Sequence, residues 1–173
     1  MLELKLLLLI IIANGSPIVA QKVTHKVWGE RWQFPLDAGK HFIDHKPLFG
    51  ASKTWRGIVS ACLLTSLAAW PMQLSVKTGF LIALCAMLGD LLSSFIKRRL
   101  SMPSSSRALG LDQIPESLLP LLLVKYFAAS LLPAASQADM TWTLVWQIVA
   151  VFFAAELLLS RILFHLHIRN EPY

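Results

Sequence analysis

Apolar residues in this chain run in long blocks, and polar residues collect between them. Five blocks stand out: Leu2–Ala20, Thr54–Met72, Val76–Ile96, Leu118–Leu132 and Trp142–Leu163. Apolar windows of about 18 residues or more predict helices that cross a bilayer. The fourth block is short, contains Pro120 and Lys125, and ends at Pro133. The fifth opens on Trp142 and Trp146, side chains suited to the membrane interface. The pattern predicts an all-α, polytopic membrane helix bundle of five transmembrane helices. Residues 1–173 form one integral membrane domain, since no repeat or low-complexity tract divides them.

The connections are unequal. Long polar loops are expected at about 21–53 and 97–117, and short ones at 73–76 and 134–141. The first long loop and its border hold Lys22, Lys26, Arg31, Lys40, Lys46, Lys53 and Arg56. The second holds Lys97, Arg98, Arg99 and Arg107. Arg161 and Arg169 belong to the tail, and the short loops lack basic residues. Lys and Arg accumulate on cytoplasmic loops. Both long loops and the C-terminus are therefore predicted in the cytoplasm and the N-terminus outside, in a multi-pass protein of the cell's cytoplasmic membrane.

Composition agrees. Hydrophobic residues make up 55% of the chain and charged residues 15%, against about 25% charged in soluble domains. The net charge of +6 invites a nucleic-acid reading, but membrane orientation already accounts for the basic clusters, so no nucleic-acid partner is expected. Cys62 and Cys85 lie within apolar blocks, as packing residues do. The first block reads as a span more than as a cleaved leader, because Glu3 and Ile18 suit neither the start nor the cleavage site of a leader.

Polar residues inside the blocks are the candidates for chemistry. In "GDLLSSFIKRRL", residues 89–100, Asp90, Ser93, Ser94 and Lys97 share one stripe of a helix. A carboxylate deep in a bilayer costs on the order of 2.5–3.5 kcal/mol, so Asp90 needs a cation, a lysine or a wet cavity. A structural ion pair with Lys97, or with a base on another helix, is the plainer alternative. In "ALGLDQIPESLLP", Asp112 and Glu116 precede the fourth block, where helix capping competes with a functional role. If the preceding loop folds back, Asp112 meets Asp90, and two carboxylates together suit Mg²⁺. "LFGASKTWRG", residues 48–57, sets Lys53, Thr54 and Arg56 between two glycines, the groups a polyphosphate needs, although the P-loop spacing is absent. Their alternative role is as ordinary basic anchors. "ANGSP", residues 13–17, predicts a broken helix lining a cavity, with Asn14 bonding a ligand or a neighbouring helix.

"SKTWRG", "GDLLSSFIKRR" and "LDQIPES" resemble, in that order, the CTP-dependent lipid cytidylyltransferases. The small CDP-archaeol synthase group is the more similar branch, sharing A-N-x-x-P, P-[IL]-D-x-G, F-G-x-x-K-T-W-R-G and L-D-Q elements. The resemblance implies a five-helix membrane enzyme that moves cytidylate from CTP to a membrane lipid phosphate, archaetidic or phosphatidic acid-like, releasing pyrophosphate with Mg²⁺. It implies that Asp90 and Asp112, with Glu116 as an added candidate, hold the metal, and that Asp90, Asp112 and Lys97 are catalytic. It implies that Lys53, Thr54, Arg56, Ser94, Lys97 and Arg98 hold phosphates, while Asn14 lines the nucleotide pocket. A homodimer is left open. Larger relatives carry a second acid where this chain has Pro115. Two other classes stand beside this one. A silent scaffold of the same fold would have little reason to keep Asp90 and Asp112, and an ion-coupled transporter would need polar residues through the whole membrane.

Overall fold

The computed structural model describes residues 1–28, 34–104, 106 and 108–165, with the side chains of 25–28 and 162–165 left aside. Arg31, Arg107 and Arg169 therefore lie outside the described residues. Among the described residues the fold is all-helical: α1 Leu2–Trp28, α2 Trp55–Ala69, α3 Val76–Arg99, α4 Gln113–Tyr126, short α5 Ala128–Leu131 and α6 Ala134–Gln137, and α7 Trp142–His165. α3 packs against α2 and α4, α1 leans on α2 and α3, and α7 closes the bundle against α4 and α1.

α2 and α3 start where a side chain supplies a partner for a free amide. Thr54 caps α2, its hydroxyl accepting from the Gly57 amide at 3.3 Å. Ser75 caps α3 through the Thr78 amide at 3.0 Å, and the Thr78 hydroxyl donates to the Leu131 carbonyl at 2.7 Å. That last bond ties the start of α3 to the end of α5. At its other end α3 finishes with Lys97, Arg98 and Arg99, cations that oppose the helix dipole.

Three helices, α1, α3 and α7, are long and apolar enough to cross a membrane. α2 and α4, with 15 and 14 residues, reach only about 22 and 21 Å, short of a hydrocarbon layer of about 30 Å. The second predicted span is trimmed because the chain turns over Trp70–Ser75. The fourth starts earlier than predicted, at Gln113, and stops at Phe127. The predicted 97–117 loop shrinks to 100–112, and the 21–53 loop starts later because α1 runs on to Trp28. Exposed aromatic residues mark the helix ends: Trp55 and Trp70 bracket α2, and Tyr126 meets Trp142 edge-on at 6.3 Å.

The predicted break at "ANGSP" is absent. α1 is continuous through it, with Pro17 inside the helix. Proline costs the helix its bond to the Ala13 carbonyl, but Pro17 packs beside Gly57 of α2, and a Cβ on that glycine would lie 3.3 Å from the proline ring. Asn14 bonds inward, its amide donating to the Ile10 carbonyl at 3.1 Å.

The core face changes character along two helices. On α1 it reads Leu6, Leu9, Ile10, Ala13, all buried, and then Asn14, Pro17 and Gln21. On α7 it reads Val145, Ile148, Val149, Phe152, and then Glu156 and Ser160. The first halves join one apolar core with Ile82, Leu121 and Val124. The second halves face a cavity. Beside it, Ala13, Ala61, Cys62, Ala83, Ala86 and Met87 form a core of small residues that brings α1, α2 and α3 close.

Glycines set the tightest approaches. A Cβ at Gly79 would fall 2.6 Å from the Thr65 carbonyl, and one at Gly89 would run into the Pro115–Glu116 backbone. Gly89 thus lets α4 lie directly against the turn of α3 that carries Asp90. Replacing Gly89 by Val is expected to push α4 off α3 and cost about 2–4 kcal/mol. Thermal melting in detergent should drop accordingly, whereas an unchanged melting curve would show that the contact does not hold the helices.

Candidate functional site

A cavity of about 660 Å³ lies where α1, α2, α3, α4 and α7 meet the 34–54 and 100–112 segments. Its polar lining comes from every long helix, so no single segment of sequence contains it.

The loop before α2 supplies the first group. Asp37 is buried, and its carboxylate accepts amide bonds from Gly39 at 3.0 Å, Phe49 at 3.1 Å and Gly50 at 3.0 Å. Burial pushes its pKa up, but the amides of Gly50, Phe49 and Gly39 outweigh that and hold it below the usual value. The knot continues as Leu36 donates to the Lys53 carbonyl at 2.7 Å and Lys53 to the Gly50 carbonyl at 3.2 Å. Lys53 is thereby set at the mouth of α2, facing α3.

Its ammonium reaches both oxygens of Asp90, at 2.5 and 2.6 Å. The partner of Asp90 is therefore Lys53, 37 residues upstream, and not Lys97 on its own stripe. Lys97 instead pairs with Asp112 at 2.7 Å and donates to the Ser106 carbonyl at 2.8 Å. Asp112 stands at the N-cap position of α4 without capping it. One of its oxygens accepts from the Ala108 amide at 3.0 Å, holding the loop. The other, Oδ1, is buried and close to the Lys97 ammonium but accepts no hydrogen bond in good alignment.

Glu116, in the first turn of α4, is buried and lines the cavity together with Asp90, Glu156 and Lys53. Carboxyl groups gathered in one cavity favour a shared proton or a cation between them. Ser94 is buried on the cavity wall; Ser93 turns back to the Asp90 carbonyl at 2.9 Å. Thr54 and Arg56 line the opening, the Arg56 guanidinium bonding the Thr24 hydroxyl of α1 at 2.7 Å. Arg98 is buried, donates to the Pro103 carbonyl at 2.6 Å, and also lines the cavity.

The structure thus brings Asn14, Lys53, Thr54, Arg56, Asp90, Ser94, Lys97, Arg98, Asp112 and Glu116 to one cavity. α7 adds Glu156 and Ser160, which sequence reasoning passed over. The signal was there. Glu156 is the only acid in the apolar run Trp142–Leu163, and the argument applied to Asp90 fits it equally. Gln113, within the L-D-Q element, also enters the lining, as do Gln21 and Ser106, which nothing in their local sequence marks.

No set of three or more acidic, His or Cys side chains converges as a metal cage among the described residues. That arrangement still fits Mg²⁺, which takes one or two carboxylates and fills its shell with water and phosphate oxygens. The acids available are those already in lysine pairs, Asp90 and Asp112, with Asp112 Oδ1 still lacking an aligned hydrogen bond.

Comparison with known proteins points one way. The family model CarS-like, CDP-archaeol synthase, matches residues 5–173. The CDP-archaeol synthase of Pyrobaculum arsenaticum is 34% identical over 68% of this chain and 70% of its own. That of Saccharolobus islandicus is 31% identical over 94% and 89%. A solved structure described as an intramembrane enzyme for archaeal membrane lipids biosynthesis superposes with a TM-score of 0.67 at 26% identity, covering 90% of each chain.

The Asp37 knot yields a pH prediction. Its folded pKa is lowered, so its stabilisation is present above the unfolded value, near 3.9, and is lost as pH falls through the folded one. Asp37→Asn should lower stability by about 2 kcal/mol at neutral pH and converge with the parent protein at acid pH. Melting curves that differ equally at every pH would contradict this.

Proposed function

The chain belongs to the CarS-like family, CDP-archaeol synthase, and on that premise we propose that it transfers the cytidylyl group of CTP to a membrane lipid phosphate and releases pyrophosphate. The observation that carries the reading is the pair of lysine–carboxylate bridges, Lys53–Asp90 and Lys97–Asp112, facing one cavity. Each bridge stores a cation and an anion that a triphosphate could separate. The lysines would turn to phosphate oxygens and leave the carboxylates to hold Mg²⁺, so neither charge would be left alone.

Mg²⁺, when bound by Asp90 and Asp112 with Glu116 beside them, supplies charge neutralisation for the triphosphate and its leaving group. The remaining work falls to side chains of this chain. Lys53, Arg56 and Lys97 hold phosphate oxygens, and Thr54 and Ser94 offer hydroxyl donors along the same path. Arg98 holds the following loop through Pro103 and offers its charge to the phosphates from the cavity wall, and Asn14 lines the same cavity from α1. The lipid phosphate oxygen attacks the α-phosphorus in line. One P–O bond forms, the bond to the β-phosphate breaks, and the electron pair leaves with pyrophosphate. A phosphate monoester dianion needs no general base, and no covalent enzyme intermediate is required.

CTP is a cytoplasmic metabolite, so the site end of the bundle faces the cytoplasm in this reading, with the N-terminus outside and the protein in the cytoplasmic membrane. The basic residues at that end support the same orientation. The lipid is expected to be an ether-linked phosphate, as the relatives' name indicates, with phosphatidic acid as the competing substrate.

Purified protein given labelled CTP, Mg²⁺ and a panel of ether- and ester-linked lipid phosphates should form a CDP-lipid. Asp90→Asn and Asp112→Asn should each cut turnover by about 10³-fold or more, and Lys53→Ala should chiefly raise KM for CTP. Absence of product with every lipid, or near-normal turnover in either Asp variant, would sink the assignment. Orientation has its own check, an Ile43→Cys variant lacking Cys62 and Cys85, placed in sealed right-side-out vesicles. A membrane-impermeant maleimide should label it only after lysis, and labelling of intact vesicles would reverse the orientation.

A further inference from the structure

Arg99 does not line the cavity, yet it makes several specific contacts at the end of α3. Its guanidinium carbon lies 4.7 Å from the centre of the Phe95 ring and 5.1 Å from that of Phe42. Those two rings meet edge to face at 5.3 Å. One terminal nitrogen donates to the Pro47 carbonyl at 2.6 Å. Nε sits 2.8 Å from an Asp44 oxygen as an ion pair, out of line for a hydrogen bond.

The partners other than Phe95 belong to one small hairpin. Phe42 donates its amide to the Lys46 carbonyl at 2.8 Å, and His45 turns the chain at φ 59°. Lys46 completes the grip by bonding the Arg99 carbonyl at 2.9 Å and the Ser101 hydroxyl at 2.7 Å. From the hairpin the chain passes through Phe49 and Gly50, held by Asp37, to Lys53. The segment 34–54 is therefore fastened to α3 twice: at Arg99, and nine residues earlier at Asp90 through Lys53, points separated by about 13 Å along the helix.

The two fastenings differ in kind. The Lys53–Asp90 bridge is the one that phosphate binding would open, whereas the Arg99 clamp touches nothing in the cavity. We propose that Arg99 is a positioning residue for the nucleotide site, holding the 34–54 segment on the end of α3 while Lys53 leaves Asp90 for a phosphate. The proposal rests on the CTP reading given above. A planar guanidinium is needed because its face lies over two rings while one edge donates to Pro47 and faces Asp44. A lysine at 99 would keep the charge and lose the flat face.

The test uses the full chain in detergent or nanodiscs, with Arg99→Ala, Arg99→Lys and the milder Phe42→Leu. Steady-state kinetics should show KM for CTP raised about tenfold in Arg99→Ala, the scale of one lost charge-assisted contact. KM for the lipid phosphate and kcat should stay within about threefold of the parent protein, with Arg99→Lys partly restoring CTP affinity. Hydrogen exchange, which needs no turnover, should speed up at the Phe49, Gly50 and Lys53 amides in all three variants. An unchanged KM for CTP, an equal rise for both substrates, or unchanged exchange over 36–54 would overturn the clamp. A parent protein that neither binds nor turns over CTP overturns the nucleotide reading instead, and the exchange result then still reports whether Arg99 docks the segment.

Discussion

A carboxylate placed among apolar helices has to be matched by positive charge, and the architecture around Asp90 follows from that requirement. The match comes from Lys53, which lies outside α3 on a segment that must be folded, knotted and docked before the ammonium can arrive. Asp37 ties the knot and Arg99 makes the dock. Losing one partner of such a pair leaves the survivor half-buried and charged without its match. Loop and helix are therefore coupled: the 34–54 segment is held in place through the lysine that pairs with Asp90.

Close helix packing carries the second acid to the same place. Gly89 precedes Asp90 and lets the α4 backbone approach at Pro115 and Glu116, so Glu116 and Asp112 line the same cavity as Asp90. The small-residue core of Ala61, Ala83 and Ala86 draws α2 against α3 in the same way. In a bilayer, where burying apolar surface between helices brings little, such close approach is a main source of association. The site and the packing are built from neighbouring positions on the same helices.

The helical bundle was legible because apolar blocks are a local signal, and so were Asp90, Asp112, Lys53 and the basic ends. Pairing was not. Periodicity put Lys97 on the stripe of Asp90, but a helix stripe describes one helix, and both ion pairs are settled between segments. The start of α4 was misplaced because Gly110 donates to Gln113 and Ala108 to Asp112, closing a turn that extends the helix backwards. Its stop at Phe127 has no proline or glycine to announce it. Pro17 argued for a break that neighbouring helix α2 absorbs. Glu156 is readable as an acid within an apolar run, but no motif on α7 accompanies it.

Trp55 and Trp70 lie at the two ends of α2, about 22 Å apart along its axis. Interfacial tryptophans mark the level at which a bilayer's headgroups begin, and a hydrocarbon layer of about 30 Å does not fit between these two. Hydrophobic mismatch of this sign is relieved by thinning the bilayer around the short helix. A bilayer crossed by α2 at that length would have to thin beside it. Thinning there would bring the headgroup layer closer to Thr54, Arg56 and Gly57, the cavity-lining end of α2.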